Sequence, residues 1–393
     1  MPKLVDCALI NPKFDKALAS KGELASFVPM AAVSAETGSI VEHEVREIDG
    51  LLKGFTPFQP EDVLVAKITP CFENGKIAHA NIERRFGFGS TEFHVVRADT
   101  QKLDERYLFH FLRQPRIRVE GEKRMTGSGG QRRVPKAYLE QLDIPLPTLS
   151  DQRRIADVLD KADALRAKRR EAIAKLDQLL HAVFLEMFGD PVFNPKKWPV
   201  VRVGDQFSDF VGGKNMECPD TSASPYRILK VSAVTKTVYA PNESKAAPEH
   251  YEPSQNAIVR KGDLLFSRAN TSELVAATAY VWDTPANMVL PDKIWRMVKT
   301  DEAIVEDLFA WELFKNRSFR SELTKRSSGT SGSMKNIAKG KLVEVLMPLP
   351  PKELQNRFAK FSESLHRQKH GLIEQFAKLE IANTSLALKF FGN

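Results

Sequence analysis

Cysteine is nearly missing from this 393-residue chain: Cys7, Cys71 and Cys218 stand far apart, and no two form a Cys-x-x-Cys pair. That excludes a disulfide framework and a cysteine-based zinc site, and it fits a reducing, cytoplasmic compartment. Long hydrophobic runs are missing too. The longest apolar-leaning stretch, Leu274 to Trp282, is too short to cross a bilayer. The opening MPKLVDCALI lacks a cationic region followed by a sustained apolar core, so no signal peptide is expected. Gly75-Lys76, Gly213-Lys214 and Gly340-Lys341 lack the earlier glycine of a phosphate-cradling loop, which excludes a P-loop. Tryptophan is absent from the first half; Trp198, Trp282, Trp295 and Trp311 all lie in the second. What is present is ordinary for a globular chain of two to four folding units, 42% hydrophobic and 27% charged. A net charge of +8 points to a polyanionic partner.

Proline and glycine are also missing between Ser150 and Phe188, and Leu, Ala, Arg, Lys and Glu, all good helix formers, dominate there. Ser150 stands where an N-cap hydroxyl belongs, and Gly189 followed by Pro191 is a helix stop. Val158, Ala162, Leu165, Leu176, Leu179 and Val183 fall at a 3–4 spacing, widened by Ile155, Leu159, Leu180, Phe184 and Met187. Such a helix is about 60 Å long. Burying ten such side chains contributes about 15–30 kcal/mol gross. A rod alone in water realises none of it, so the helix requires a long partner.

The same chain supplies one. A second helical stretch follows Leu349-Pro350-Pro351 and ends at Phe390-Phe391-Gly392, with Phe358, Phe361, Leu365, Leu372, Phe376, Leu379 and Leu386 as its stripe. Pro145-Leu146-Pro147 matches Pro348-Leu349-Pro350, Gln152 matches Gln355, and Phe188-Gly189 matches Phe391-Gly392, all 203 positions apart. Landmarks at one offset with no gap mark a tandem duplication.

Residues 1–144 read as a mixed α/β domain. Strands are expected at Ser26–Val33, Asp62–Ile68, Thr91–Val96 and, briefly, Leu142–Leu146; a helix is expected at Asp104–Arg113 and a loop at Thr126–Gln131. Residues 191–347 repeat the layout in a different sequence. Ile228–Val234 answers the first strand, Gly262–Arg268 the second, Leu308–Trp311 the helix and Ser328–Ser333 the loop. The expected domains are therefore 1–144, 145–190, 191–347 and 348–393. Similar spacers carrying dissimilar heads suit a reader of two unlike targets.

The run from Pro145-Leu-Pro-Thr-Leu-Ser-Asp-Gln-Arg-Arg-Ile155 to Phe188-Gly189 resembles the central conserved helix of the specificity subunit of bacterial type I restriction-modification systems. Asp62–Lys76 is similar to a recurring motif of that family's target recognition domains, and Gly262–Thr271 resembles a variant of it. The second helix departs from the first copy's wording, with Leu354-Gln355-Asn356-Arg357-Phe358 in place of Asp-Gln-Arg-Arg-Ile. The resemblance implies an α+β architecture, a tandem pseudo-twofold repeat of two target recognition domains held apart by two long helices in an antiparallel coiled coil. It implies that each domain reads one half of a bipartite asymmetric double-stranded DNA site, with the rod setting the unread gap. It implies two methyltransferase subunits docked on the scaffold, restriction subunits joining them, and no catalysis or cofactor in this chain. S-adenosylmethionine, ATP and Mg would then belong to partner subunits.

On that reading the candidate DNA contacts follow from position and chemistry. In the first domain they are Lys67, Thr69, Asn74, Lys76, Arg84, Arg85, Lys123, Arg124, Arg132 and Arg133. In the second they are Lys214, Arg227, Lys230, Arg268, Asn270, Lys293, Arg296, Lys325, Arg326 and Lys335. Gly/Ser loops permit close backbone approach to phosphate, and Arg or Asn makes bidentate contacts to base edges. The Arg166–Arg170 cluster is expected on a solvated or partner-facing side of the first helix. Catalytic readings are weak. Asn11-Pro12-Lys13-Phe14 has Lys13 where an amino-methylating motif needs proline; Pro219-Asp220 with Glu243-Ser244-Lys245 fits a nuclease pattern only loosely; His366 and His370 lack a third metal ligand. A protein-binding coiled-coil scaffold and a single-chain DNA-modifying enzyme remain the alternatives.

Overall fold

The computed structural model describes residues 1–128, 130–217, 223–329 and 334–392. Gly129, Cys218, the Pro219-Asp220 pair and the Thr330–Ser333 part of the second Gly/Ser loop lie outside the described residues. The chain forms two compact units, Met1–Ala172 with Leu372–Asn393, and Ile173–Gly371.

Each unit is built on a four-stranded antiparallel sheet whose inner strand is apolar on both faces. In the first unit the order is Ala8–Ile10, Phe93–Ala98, Val63–Ala66, Ile77–His79. In the second it is Phe207–Gly212, Ile294–Lys299, Leu264–Ser267, Thr278–Tyr280. The register repeats with the sequence offset. Leu64 faces Val95 and Ala78, and 201 positions on Leu265 faces Arg296 and Ala279. The inner strands Val63–Ala66 and Leu264–Ser267 are buried along their whole length. A second sheet accompanies each: Glu44–Glu47, Leu24–Val28, Gly87–Gly89, Thr56–Phe58 in the first unit, and Ser244–Ala246, Arg227–Leu229, Met288–Val289 in the second.

Three expected strands are shorter or different. Leu24–Val28 gives way to a short helical turn at Met30–Ala32. Arg227–Leu229 gives way to one at Ser232–Thr235. Leu142–Leu146 is not a strand; it makes one bridge, Lys3 to Asp143. Its counterpart Leu346–Pro348 does pair, with Val200–Arg202. An edge segment without a partner strand has no ladder to join, whatever its apolar content.

The two long helices run Leu149–Phe188 and Lys352–Phe391. Thr148, rather than Ser150, caps the first: its Oγ1 accepts from the Asp151 N–H at 3.2 Å. Gly189, at φ 78°, ends it. They pair antiparallel, forming the coiled coil. Within the first unit Arg166 binds Glu380 through two bonds of 2.6 and 2.8 Å, and Arg170 lies 4.9 Å over Phe376. Within the second, Lys369 binds Asp177 at 2.7 Å and Phe188 meets Phe358 edge-on at 5.5 Å. The Arg166–Arg170 cluster is thus partly a set of interhelical ties. Arg166 is also held by Asp163, and Arg170 by Glu36.

Of the expected interface residues, Phe358 and Leu365 are buried, and Ala162, Leu176, Val183, Phe361, Leu372, Phe376, Leu379 and Leu386 half-buried. Val158, Leu165 and Leu179 are instead 37%, 41% and 43% exposed. The burial moves round the helix to Ile155, Ala156 and Leu159, packed with Tyr107 and Leu108 in the first unit. In the second it moves to Leu180, Phe184 and Phe188, packed with Leu308 and Phe309. A helix that serves a head as well as a partner helix buries the face toward the head, and a two-rod spacing pattern does not report that face.

Candidate nucleic-acid interface

The site is built where each inner strand runs out. In the first unit Lys67 follows Ala66; its N–H donates to the Glu92 carbonyl at 2.8 Å, and its carbonyl accepts from the Val134 N–H at 2.8 Å. Two residues on, the Thr69 N–H donates to the Arg132 carbonyl at 3.0 Å. The return limb of the Gly/Ser loop, closed by the Thr126–Arg133 bridge, therefore lies along residues 67–69. The second unit repeats this. The Arg268 N–H donates to the Lys293 carbonyl at 3.0 Å, its carbonyl accepts from the Ile337 N–H at 2.9 Å, and Asn270 pairs with Lys335. Ser328–Asn336 closes that loop. Gly127 and Gly329 both sit at positive φ, where a Cβ would run into the Gln131 and Met334 carbonyls. These glycines let the chain turn back on itself.

Lys67, Thr69, Arg132 and Arg133 are thereby gathered in one unit, and Arg268, Asn270, Lys293 and Lys335 in the other. The electrostatics of the two loci differ. In the first, Arg133 donates twice to Glu92, at 2.9 and 2.8 Å. Those bonds, with the nearby charges of Arg133 and Lys67, hold the Glu92 carboxyl below the usual range. Arg132 stands 3.6 Å from Glu73, which also accepts from the Thr69 hydroxyl at 2.8 Å. His94 lies beneath: its Nε2 bonds the Val134 carbonyl at 2.8 Å, and the Asn11 amide meets its Nδ1 at 3.1 Å. Burial pushes its pKa below the ordinary histidine value.

In the second locus, position for position, Lys293 stands where Glu92 stood and Trp295 where His94 stood. The Arg268 guanidinium lies 5.2 Å over the Trp295 ring and has no carboxylate partner among the described residues. Its Nε is buried without a hydrogen bond. The Lys335 ammonium reaches the Gly329 carbonyl at 3.0 Å.

The other candidates are dispersed. Lys123 and Lys325 end equivalent helices, Pro115–Lys123 and Arg317–Lys325, each paired three residues back to Glu120 and Glu322. Arg124 faces the Tyr138 ring, and Arg326 donates to the Glu322 carbonyl at 3.0 Å. Asn74, Lys214 and Lys230 are exposed, as are Arg84 and Arg85 in the turn before Gly87–Gly89. Three are turned onto the fold itself. Lys76 donates to the Met30 carbonyl at 2.9 Å, Arg227 to Ser244 at 2.9 Å, and Arg296 to the Ile258 carbonyl at 3.2 Å beside Asp263. Glu92, His94 and Trp295 were not among the sequence candidates, although the 201-residue offset sets Glu92 against the named Lys293 and His94 against Trp295.

A family model described as the type I restriction modification DNA specificity domain matches residues 19–175. The EcoEI specificity subunit of Escherichia coli is 25% identical over 450 residues, covering 90% of this chain and 75% of that one. The Escherichia coli EcoAI specificity subunit is 39% identical over 153 residues, 39% of this chain and 26% of that one. Among solved structures, the type I restriction-modification S subunit from M. genitalium aligns with a TM-score of 0.58 at 12% identity, covering 100% of this chain and 96% of that one.

The chain is similar to type I restriction enzyme specificity subunits over most of its length. A chain from a structure of type I restriction-modification complex assembly and conformational transition shares its fold, with TM-score 0.57, 19% identity and coverage of 99% and 96%. Specificity subunits are non-catalytic as a family, and they work with restriction and modification subunits and DNA. His366, half of the histidine pair on the second long helix, stacks on Trp282 with ring centroids 3.8 Å apart. No helix among the described residues is long and apolar enough to cross a membrane.

Proposed function

We propose that this chain is a type I specificity subunit that reads a bipartite asymmetric DNA sequence, one half with each compact unit, and carries two methyltransferase subunits and the restriction subunits on its paired helices. The observation that carries this is the twofold occurrence of one strand-end and hairpin locus, in matched register, with different side chains: Lys67, Thr69, Arg132 and Glu92 against Arg268, Asn270, Lys335 and Lys293. A shared frame with altered hydrogen-bonding groups is what two unlike half-sites require. Chemistry resides in the partners, which would bring S-adenosylmethionine, ATP and Mg, in the cytoplasm. The test is to sequence methylated genomic DNA from a host carrying this chain with its methyltransferase. A two-part asymmetric motif is the expected result, and binding that falls steeply with salt accompanies it. Methyl transfer by this chain alone would refute the subunit reading. Salt-insensitive association with duplex in the presence of the methyltransferase would favour a protein scaffold.

A further inference from the structure

The two loci differ most at one place. In the first unit a carboxylate, Glu92, stands beside the strand-end cation and is bonded twice by Arg133. In the second unit the corresponding position is Lys293, so the strand-end guanidinium of Arg268 has lost its local counter-charge. Three other cations of this region are committed: Arg296 to Asp263, Lys339 to Asp209 at 3.0 Å, and Lys335 to a carbonyl. Arg268 is held by a ring rather than an acid. Trp295 is only 3% exposed and is itself packed by Phe210 and Phe266. A cation on an aromatic face keeps its charge and its N–H donors while losing side-chain freedom. Its backbone is fixed on both sides, by Lys293 and Ile337. This is a pre-positioned planar fork whose terminal N–H donors make no side-chain hydrogen bond among the described residues, close to Asn270.

We infer that Arg268 is a specificity-determining residue that reads a guanine in the half-site bound by residues 173–371, with Trp295 as its platform. The inference rests on the proposed DNA-reading function. Of the base edges in the major groove, guanine offers two acceptors, N7 and O6, matched to a guanidinium fork. A phosphate contact would use the charge without needing the fork or the rigid seat.

The experiment uses the full chain assembled with its methyltransferase subunits, incubated with a duplex library randomised across both half-sites; bound sequences are recovered and counted. Wild type is expected to enrich a bipartite motif with guanine at one position of one half. Arg268→Lys keeps the charge and removes the fork. It is expected to lower the guanine preference at that position alone by about 10- to 100-fold, leaving the other half-site and the salt slope unchanged. Trp295→Leu, with folding checked by thermal melting, is expected to lower the same preference to a smaller extent. If Arg268→Lys leaves every base preference intact, the guanine assignment is overturned. It is overturned equally if Arg268→Ala weakens all sequences to the same degree and reduces the salt slope by about one ion, the signature of a phosphate contact. If wild type enriches no bipartite sequence, the DNA-reading function fails together with the assignment. The first two failures leave that function standing.

Discussion

Lys67 and Arg268 occupy one position in two copies of a frame, and their surroundings give them different work. Lys67 sits near Glu92, whose carboxyl is held below the usual range by its bonds from Arg133; Arg268 sits on Trp295 with no acid partner among the described residues. Lys67→Ala and Arg268→Ala are each expected to weaken duplex binding about tenfold while the fold survives, measured by anisotropy titration with the methyltransferase present. Unchanged affinity in both would remove the strand-end locus as the contact. A second residue-scale effect concerns pH. Burial first, then the charges of His370 and Lys369, push the His366 pKa down to about 4 from its ordinary 6.5. A histidine with a depressed folded value binds fewer protons folded than unfolded. Its contribution is full above about pH 6.5 and is lost as pH falls toward 4. Melting of the wild type should therefore fall over that window, and His366→Phe, which keeps an aromatic on Trp282, should flatten the slope.

At the scale of elements, a pair of buried glutamines fixes each long helix to its head. Gln152 accepts from the Asp104 N–H at 2.8 Å and donates to the Lys102 and Pro147 carbonyls, both at 2.9 Å. Gln355 accepts from the Glu306 N–H at 2.8 Å and donates to the Pro350 carbonyl at 2.7 Å. Asp104 and Glu306 are themselves N-caps of the following helices, Glu105–Leu112 and Asp307–Lys315. Replacing either glutamine by leucine strands buried backbone groups and should cost about 1–3 kcal/mol, seen as a lower urea midpoint. A midpoint unchanged in both variants would show that water or relaxation satisfies those groups. The sequence marked both glutamines as landmarks of the duplication, and it marked the helices by their composition. It did not show what the amide bonds, because the capped head helices lie some fifty residues away in the chain and come into reach only once the head has folded.

On the scale of the whole molecule, two units share one frame and carry separate chemistry, so their specificities should be exchangeable. Replacing residues 191–347 with the corresponding segment of another specificity subunit is expected to change one half of the methylated motif and leave the other, read by sequencing modified genomic DNA. A change in both halves would contradict independent reading. The duplication, the two long helices, the strand cores and the basic character were legible from residue type and spacing alone, since periodicity and proline-free length are properties of local sequence. The helix faces were legible only in part: Val158, Leu165 and Leu179 fit the spacing and remain exposed, because the heads take up the neighbouring face. Which basic residues are free to meet a ligand was decided by tertiary structure. Lys76, Arg227 and Arg296 look like Lys67 and Arg268 in sequence, yet their charges are engaged by carbonyls, a hydroxyl and a half-buried acid. A side chain's charge is written in the sequence, whereas the partner that neutralises it is set by the folding of distant segments into contact.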